Sequence, residues 1–158
     1  VSVKVLFVCL GNICRSPTAH GVFQALVQRE SMGERITIDS AGTGDWHVGK
    51  APDRRAQQAA AERGYDLSGL RARQVARPDF DHYDYVLAMD NSNLSDLKRL
   101  APSHFKGHLG LFLDFARRSA AREVPDPYYG GDEGFAEVLD MVEDAAEGLL
   151  DDIRQRLV

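Results

Sequence analysis

Val3-Lys4-Val5-Leu6-Phe7-Val8 runs directly into Cys9-Leu10-Gly11-Asn12-Ile13-Cys14-Arg15-Ser16-Pro17-Thr18. The first six residues are rich in β-branched side chains and nearly all apolar. Such a run fits a strand buried on both faces, as in a parallel sheet. Pro17 suits the first helical position, and Ala19, Val22, Phe23 and Leu26 recur at helical spacing. The segment between is therefore a strand-to-helix turn. Successive backbone N–H groups in such a turn can converge as an anion nest, backed by the positive end of the helix. Gly11 and Asn12 are residue types that tolerate positive φ. Arg15 carries a planar fork that matches two phosphate oxygens. Cys9 lies at the bottom of that field, beneath the converging N–H groups. A thiolate facing a bound tetrahedral oxyanion is a nucleophile for phosphoryl transfer.

Each of these residues has a plainer reading. A cysteine at a strand end is most often a small buried hydrophobe. Five residues between a Cys and an Arg is weak evidence in isolation, and the strand–turn–helix context gives it weight. A zinc site lacks a second cysteine pair, with His47 the only tempting partner, so no metal is expected. A nucleotide-binding loop needs Gly-Lys-Ser/Thr, which is absent here.

Outward from this turn, short apolar runs alternate with amphipathic stretches. The first helix is expected from Pro17 to about Ser31, with Gly33 as its stop. Arg35 to Asp39 reads as a second strand, and Ser40 to Pro52 as a glycine-rich loop. Asp53 to Arg63 reads as a helix closed by Gly64. Tyr85 to Met89 reads as a third strand, and Asn91 to Leu100 as a helix opened by Asn/Ser caps. Leu109 to Leu113 fits a short fourth strand, and Ala116 to Gly131 is irregular. From Asp132 onward, Phe135, Val138, Leu139, Val142, Ala146, Leu149, Ile153 and Leu157 mark one apolar helix face. The βαβαβαβα order argues for a single-domain, three-layer α/β fold spanning 1–158, with a four-stranded parallel sheet and helices on both faces. Ligands of such sheets sit at the carboxyl ends of the strands, here the segments after Val8, Asp39 and Met89.

Composition narrows the function. Among 158 residues, 19 Lys+Arg face 24 Asp+Glu, a net charge of -5. A dedicated nucleic-acid binder normally shows a basic excess, so none is expected. No apolar run approaches the roughly 20 residues of a membrane span. The start, Val1 to Leu10, lacks a cationic leader and a cleavage site. Two cysteines cannot make a disulfide scaffold. The expectation is a reduced, cytoplasmic protein, with release by a signal-peptide-independent route left open.

With these residues in place, the chain resembles the low-molecular-weight protein tyrosine phosphatases. The likeness covers the whole sequence. It includes Asp39-Ser40-Ala41-Gly42-Thr43, Asp45-Trp46-His47, Arg71-Ala72-Arg73-Gln74, Ala88-Met89-Asp90-Asn91-Ser92-Asn93 and Asp126-Pro127-Tyr128. The resemblance implies a flavodoxin-like or Rossmann-like phosphatase fold, no cofactor, and hydrolysis of phosphotyrosine in proteins through a phosphocysteine on Cys9. It implies Asp126 as general acid and base, in a loop that flanking prolines stiffen. Leu10, Gly11, Asn12, Ile13, Cys14 and Ser16 would complete the phosphate loop around Cys9 and Arg15, and the Ser16 hydroxyl can donate to the Cys9 sulfur. An Asn12–Ser40 hydrogen bond would fix the loop's shape. That network often includes a His where this chain has Leu70, so a softer loop is expected. Trp46 and Tyr128 would wall the substrate cleft. Cys14 would trap oxidised Cys9 as a reversible disulfide. The remaining histidines, His47 included, read as surface or satisfied residues. Expected partners are phosphotyrosine proteins, with a tyrosine kinase as a candidate, and inorganic phosphate as product and inhibitor.

Three rival functions share these residues. Arsenate reductases of related type need further cysteines to relay a disulfide, and none follows Cys14. Phosphoarginine phosphatases of similar type tend to carry Thr where this loop has Ile13. A non-catalytic phosphate- or phosphopeptide-binding module would keep Arg15 but could lose Cys9 or Asp126, and both are present.

Overall fold

The computed structural model describes residues 2–129 and 131–157. Four strands, β1 (Val3–Cys9), β2 (Ile36–Gly42), β3 (Tyr85–Ala88) and β4 (His108–Leu111), form one parallel sheet in the order β2-β1-β3-β4. The helices are α1 (Arg15–Arg29), α2 (Arg54–Glu62), α3 (Asp79–His82), α4 (Asn91–Leu100) and α5 (Asp132–Leu157). Alternation along β1 sorts its side chains onto two cores. Val3, Val5, Phe7 and Cys9 meet Val22, Phe23 and Val27 of α1 and Val138, Val142 and Leu149 of α5. Leu6 and Val8 meet Val86 and Ala88 of β3, Phe80 of α3 and Leu97 of α4. Helices thus cover both faces, and β1 is apolar at every position but Lys4 because its other side chains are buried. Phe7 anchors the larger core, edge-on to Phe23 at 5.8 Å and to Phe112 at 4.9 Å. A ring so buried contributes about 1.5–3 kcal/mol by area alone.

The chain leaves β1 towards β2 on one side and later returns to β3 on the other. The carboxyl end of β1 is therefore the point where strand order reverses, and a crevice opens there. It holds the Cys9–Arg15 turn.

Several boundaries differ from those expected. Helix α1 starts two residues before Pro17, because the turn has already wound into helical geometry at Arg15. Pro17 still sits in the first turn, where its missing N–H costs no hydrogen bond. The helix ends at Arg29, and the residue that closes it is Ser31, not Gly33. Ser31 takes φ 59°, Ser31 N–H bonds Gln28 C=O, and Met32 N–H bonds Val27 C=O, a Schellman closure. Strand β2 continues past Asp39 through Gly42, pairing Val8 with Ala41 and Cys9 with Gly42. The small residues there make room for the turn: a Cβ on Gly42 would lie 2.7 Å from the Leu10 carbonyl oxygen. Strand β4 stops at Leu111, and the rest of that apolar run coils into a 3₁₀ turn, Phe112–Phe115. Helix α3 was not anticipated; one turn follows Pro78 and buries Phe80. Gly148 of α5 lets this helix close on that 3₁₀ turn, since a Cβ there would fall 1.8 Å from the Phe115 carbonyl oxygen.

Candidate active site

The Cys9–Arg15 turn is held from outside by backbone bonds. Thr43 and Gly44 N–H groups bond the Cys9 and Leu10 carbonyls, and Asp53 N–H bonds Ile13 C=O at 2.8 Å. Asn12 takes φ 57°, the positive value its residue type tolerates. Its own N–H donates to Cys9 Sγ at 3.3 Å. No side chain caps α1 at Cys14. The positive end of the helix consequently faces the turn.

Donor and acceptor roles behind the sulfur follow from one fixed bond. Arg73 N–H can only donate, and it lies 3.0 Å from Asn12 Oδ1. The amide Nδ2 of Asn12 must then face Ser16, donating to Oγ at 2.7 Å. The Ser16 hydroxyl proton is left for Cys9 Sγ at 3.0 Å or the Ala41 carbonyl at 3.3 Å. Ser16 is fully buried, so either bond is made away from water.

Arg15 is 3% exposed. Its Nη1 donates to Asp90 Oδ2 at 2.6 Å and to Val124 C=O at 3.0 Å. These two contacts fix one edge of the guanidinium. Nη2 lies 3.8 Å from Asp126 Oδ2. Burial opposes the charge on Arg15, but Cys9, Asp90 and Asp126 together hold its pKa above the ordinary value. The cation is permanent. Asp126 is steadied by Tyr128 N–H, which donates to Oδ1 at 3.0 Å.

A cavity of about 390 Å³ joins these groups, lined by Cys9, Leu10, Gly11, Ile13, Cys14, Arg15, Trp46, His47, Asp126 and Tyr128. Trp46 is 66% exposed and Tyr128 39%, so both stand at the mouth. Asn12 and Ser16 lie behind the turn, and Ser40 lies apart on β2. One expectation needs correction. Ser40 Oγ pairs with His20 Nδ1 at 3.1 Å, not with Asn12, because it faces α1. The imidazole beside Ser40 comes from α1. Burial lowers the His20 pKa against the opposing pull of Asp39. His47, among the histidines that read as surface or satisfied, is half-buried and lines the cavity, its ring 6.4 Å from that of Tyr128. Cys9 and Cys14 are both free thiols. Burial first, then Asp53, Cys9 and Asp126, push the Cys14 thiol well above its ordinary value.

Sequence reasoning missed Asp90, Arg73 and His20. Asp90 was within reach, since it follows β3 at a carboxyl strand end. Arg73 and His20 carried no local signal. Among the described residues no group of three His, Cys, Asp or Glu could hold a metal ion, and no helix is long and apolar enough to cross a membrane.

A cysteine beneath an arginine-backed anion nest, with a carboxylate across the cavity, defines the class of cysteine-dependent phosphate-handling α/β proteins. Within that class the family is settled by comparison. The family model described as low molecular weight phosphotyrosine protein phosphatase matches residues 4–158, and the chain belongs to that family. A low molecular weight protein-tyrosine-phosphatase of Streptomyces coelicolor is 44% identical over 160 residues, covering 99% of this chain and 97% of that one. The crystal structure of a protein tyrosine phosphatase from Entamoeba histolytica superposes with a TM-score of 0.95 at 41% identity, covering 99% and 100% of the two chains. A Drosophila arginine phosphatase is also similar, with a TM-score of 0.88 at 33% identity over 96% and 98%.

Proposed function

We propose that this chain hydrolyses phosphotyrosine in proteins, and simple aryl phosphates, through a phosphocysteine. Cys9 Sγ attacks phosphorus, the bond to the phenolic oxygen breaks, and Asp126 gives that oxygen its proton. Asp126 then takes a proton from water, which attacks phosphorus. The P–S bond breaks, and the thiolate and inorganic phosphate are released. Arg15 and the turn's N–H groups hold the equatorial oxygens through both steps. Ser16 donates to the sulfur as it attacks and as it leaves. Trp46 and Tyr128 take the phenyl ring at the mouth, and Cys14 condenses with oxidised Cys9 to form a disulfide and water. The single observation carrying this reading is the cavity that holds Cys9, Arg15 and Asp126 together, with Arg15 Nη2 3.8 Å from Asp126.

The chain acts as one domain in the cytoplasm, on phosphotyrosine proteins, with a tyrosine kinase among its candidate partners and phosphate as product and inhibitor. Likeness to the Drosophila arginine phosphatase makes phosphoarginine the second reading. The apolar Ile13 in the cavity wall favours an aromatic substrate.

Hydrolysis of p-nitrophenyl phosphate from pH 4 to 8, with EDTA present, tests the mechanism. Wild type is expected to be active, Cys9→Ser inactive, and Asp126→Ala slower by about 10²- to 10⁴-fold. An inactive wild type that still binds phosphate would make this an oxyanion-binding module. Phosphotyrosine and phosphoarginine peptides then separate the two substrate classes.

A further inference from the structure

We propose that Arg55 is a positioning residue for the Asp126 carboxyl group, the middle of a strut that ties the acid loop to the phosphate turn. The inference rests on the reading of Asp126 as general acid. The strut starts at Ile13, whose carbonyl accepts from Asp53 N–H at 2.8 Å. Asp53 caps α2, its Oδ1 accepting from Arg55 N–H at 2.8 Å and from Arg55 Nε at 3.3 Å. Arg55 Nη2 then crosses to the Tyr128 carbonyl at 2.8 Å, while also donating to Asp53 Oδ2 at 3.3 Å. Tyr128 N–H in turn holds Asp126 Oδ1. One residue, Tyr128, therefore takes Arg55 on its carbonyl and offers its amide to the acid. The guanidinium also lies 5.7 Å from the Tyr128 ring centroid and 5.0 Å from that of Phe135, clamping the loop from the side of α5.

The planar fork explains why arginine suits this place. It bonds Asp53 and the Tyr128 carbonyl together, which a single ammonium cannot do with the same geometry. Asp126 and Tyr128 are exposed, so an external brace decides where the carboxyl group points. With Oδ1 pinned by Tyr128, Oδ2 is the oxygen turned to Arg15 and the cavity.

A misplaced acid hurts poor leaving groups and spares good ones. The test measures kcat/KM for phenyl phosphate and for 2,4-dinitrophenyl phosphate in wild type, Arg55→Ala, Arg55→Lys, Asp126→Ala and the Arg55→Ala/Asp126→Ala double variant. Arg55→Ala is expected to lower kcat/KM for phenyl phosphate by about 10- to 100-fold, part of the general-acid contribution. For 2,4-dinitrophenyl phosphate the expected loss is under about threefold, which also reports an intact fold. Arg55→Lys should fall between wild type and Arg55→Ala. The double variant should be no worse than Asp126→Ala, as coupled residues are not additive. Equal losses on both substrates, or additive losses in the double variant, would overturn the strut. If Asp126→Ala itself responds equally to both leaving groups, Asp126 is not the acid, and the reading of the site falls with it. Should Arg55→Ala not fold, Arg55→Gln carries the same comparison.

Discussion

Replacing Ser16 by alanine removes one oxygen atom from the closed space behind Cys9. Its size as a perturbation follows from the bonds already described. In the proposed mechanism the hydroxyl donates to a sulfur that is charged as it attacks and as it leaves, and hydrogen bonds to charged groups contribute about 1.5–3 kcal/mol. On a barrier, that is about 10- to 150-fold in rate. The substitution also leaves Asn12 Nδ2 without its 2.7 Å acceptor. A buried unsatisfied donor costs about 1–3 kcal/mol of stability, or roughly 2–12 °C in Tm for a chain of this size. Stopped-flow hydrolysis of p-nitrophenyl phosphate resolves both halves of the reaction. Both kcat/KM and kcat should fall, because the sulfur is nucleophile in one step and leaving group in the other. A folded Ser16→Ala enzyme with kcat within twofold of wild type would refute the assigned proton direction.

Three further outcomes follow from the fold. Asp144 is buried and accepts from the Arg117, Arg118 and Ser119 N–H groups. Burial opposes its charge, but these bonds lower its pKa, so the stability it contributes is present above the ordinary carboxylate range and lost as pH falls through the depressed value. Asp144→Asn should therefore be less stable than wild type at pH 7 by about 1.5–3 kcal/mol, with the gap closing in denaturant titrations as pH falls below the ordinary carboxylate range. His20 has a lowered pKa, so wild type should lose stability as pH falls from about 6.5 towards that lower value. His20→Gln should flatten that fall, measured as Tm between pH 7 and 5. Gly148→Ala forces a methyl group against the Phe115 carbonyl and should cost about 1–3 kcal/mol, read as a Tm loss with kcat retained.

The β1–turn–α1 unit was legible because its information is local. An apolar run, a glycine, a cysteine, an arginine and a proline each state their requirement within eighteen residues. The end of β2 was not legible, since Ser40-Ala41-Gly42 lacks the bulk that marks a strand. Small size is required there by the turn crossing above it. Four residues of α3 are too few to show a period. The groups that orient the site are set by sheet order, which local patterns do not record. Asp90 stands 75 positions from Arg15, and Arg73 stands 61 from Asn12. The Leu70 position illustrates the same limit. Its missing imidazole suggested a gap, yet the histidine that Ser40 meets is His20, on another element.

Arg15 binds the Val124 carbonyl, 109 residues later in the chain. That bond has a consequence during synthesis. The two thiols emerge from the ribosome well before Val124, one of the groups that close around them. At about 5–20 residues per second, the interval is roughly 5–20 s. A nascent chain halted before Val124 should leave Cys14 open to alkylation, whereas the folded chain keeps it buried.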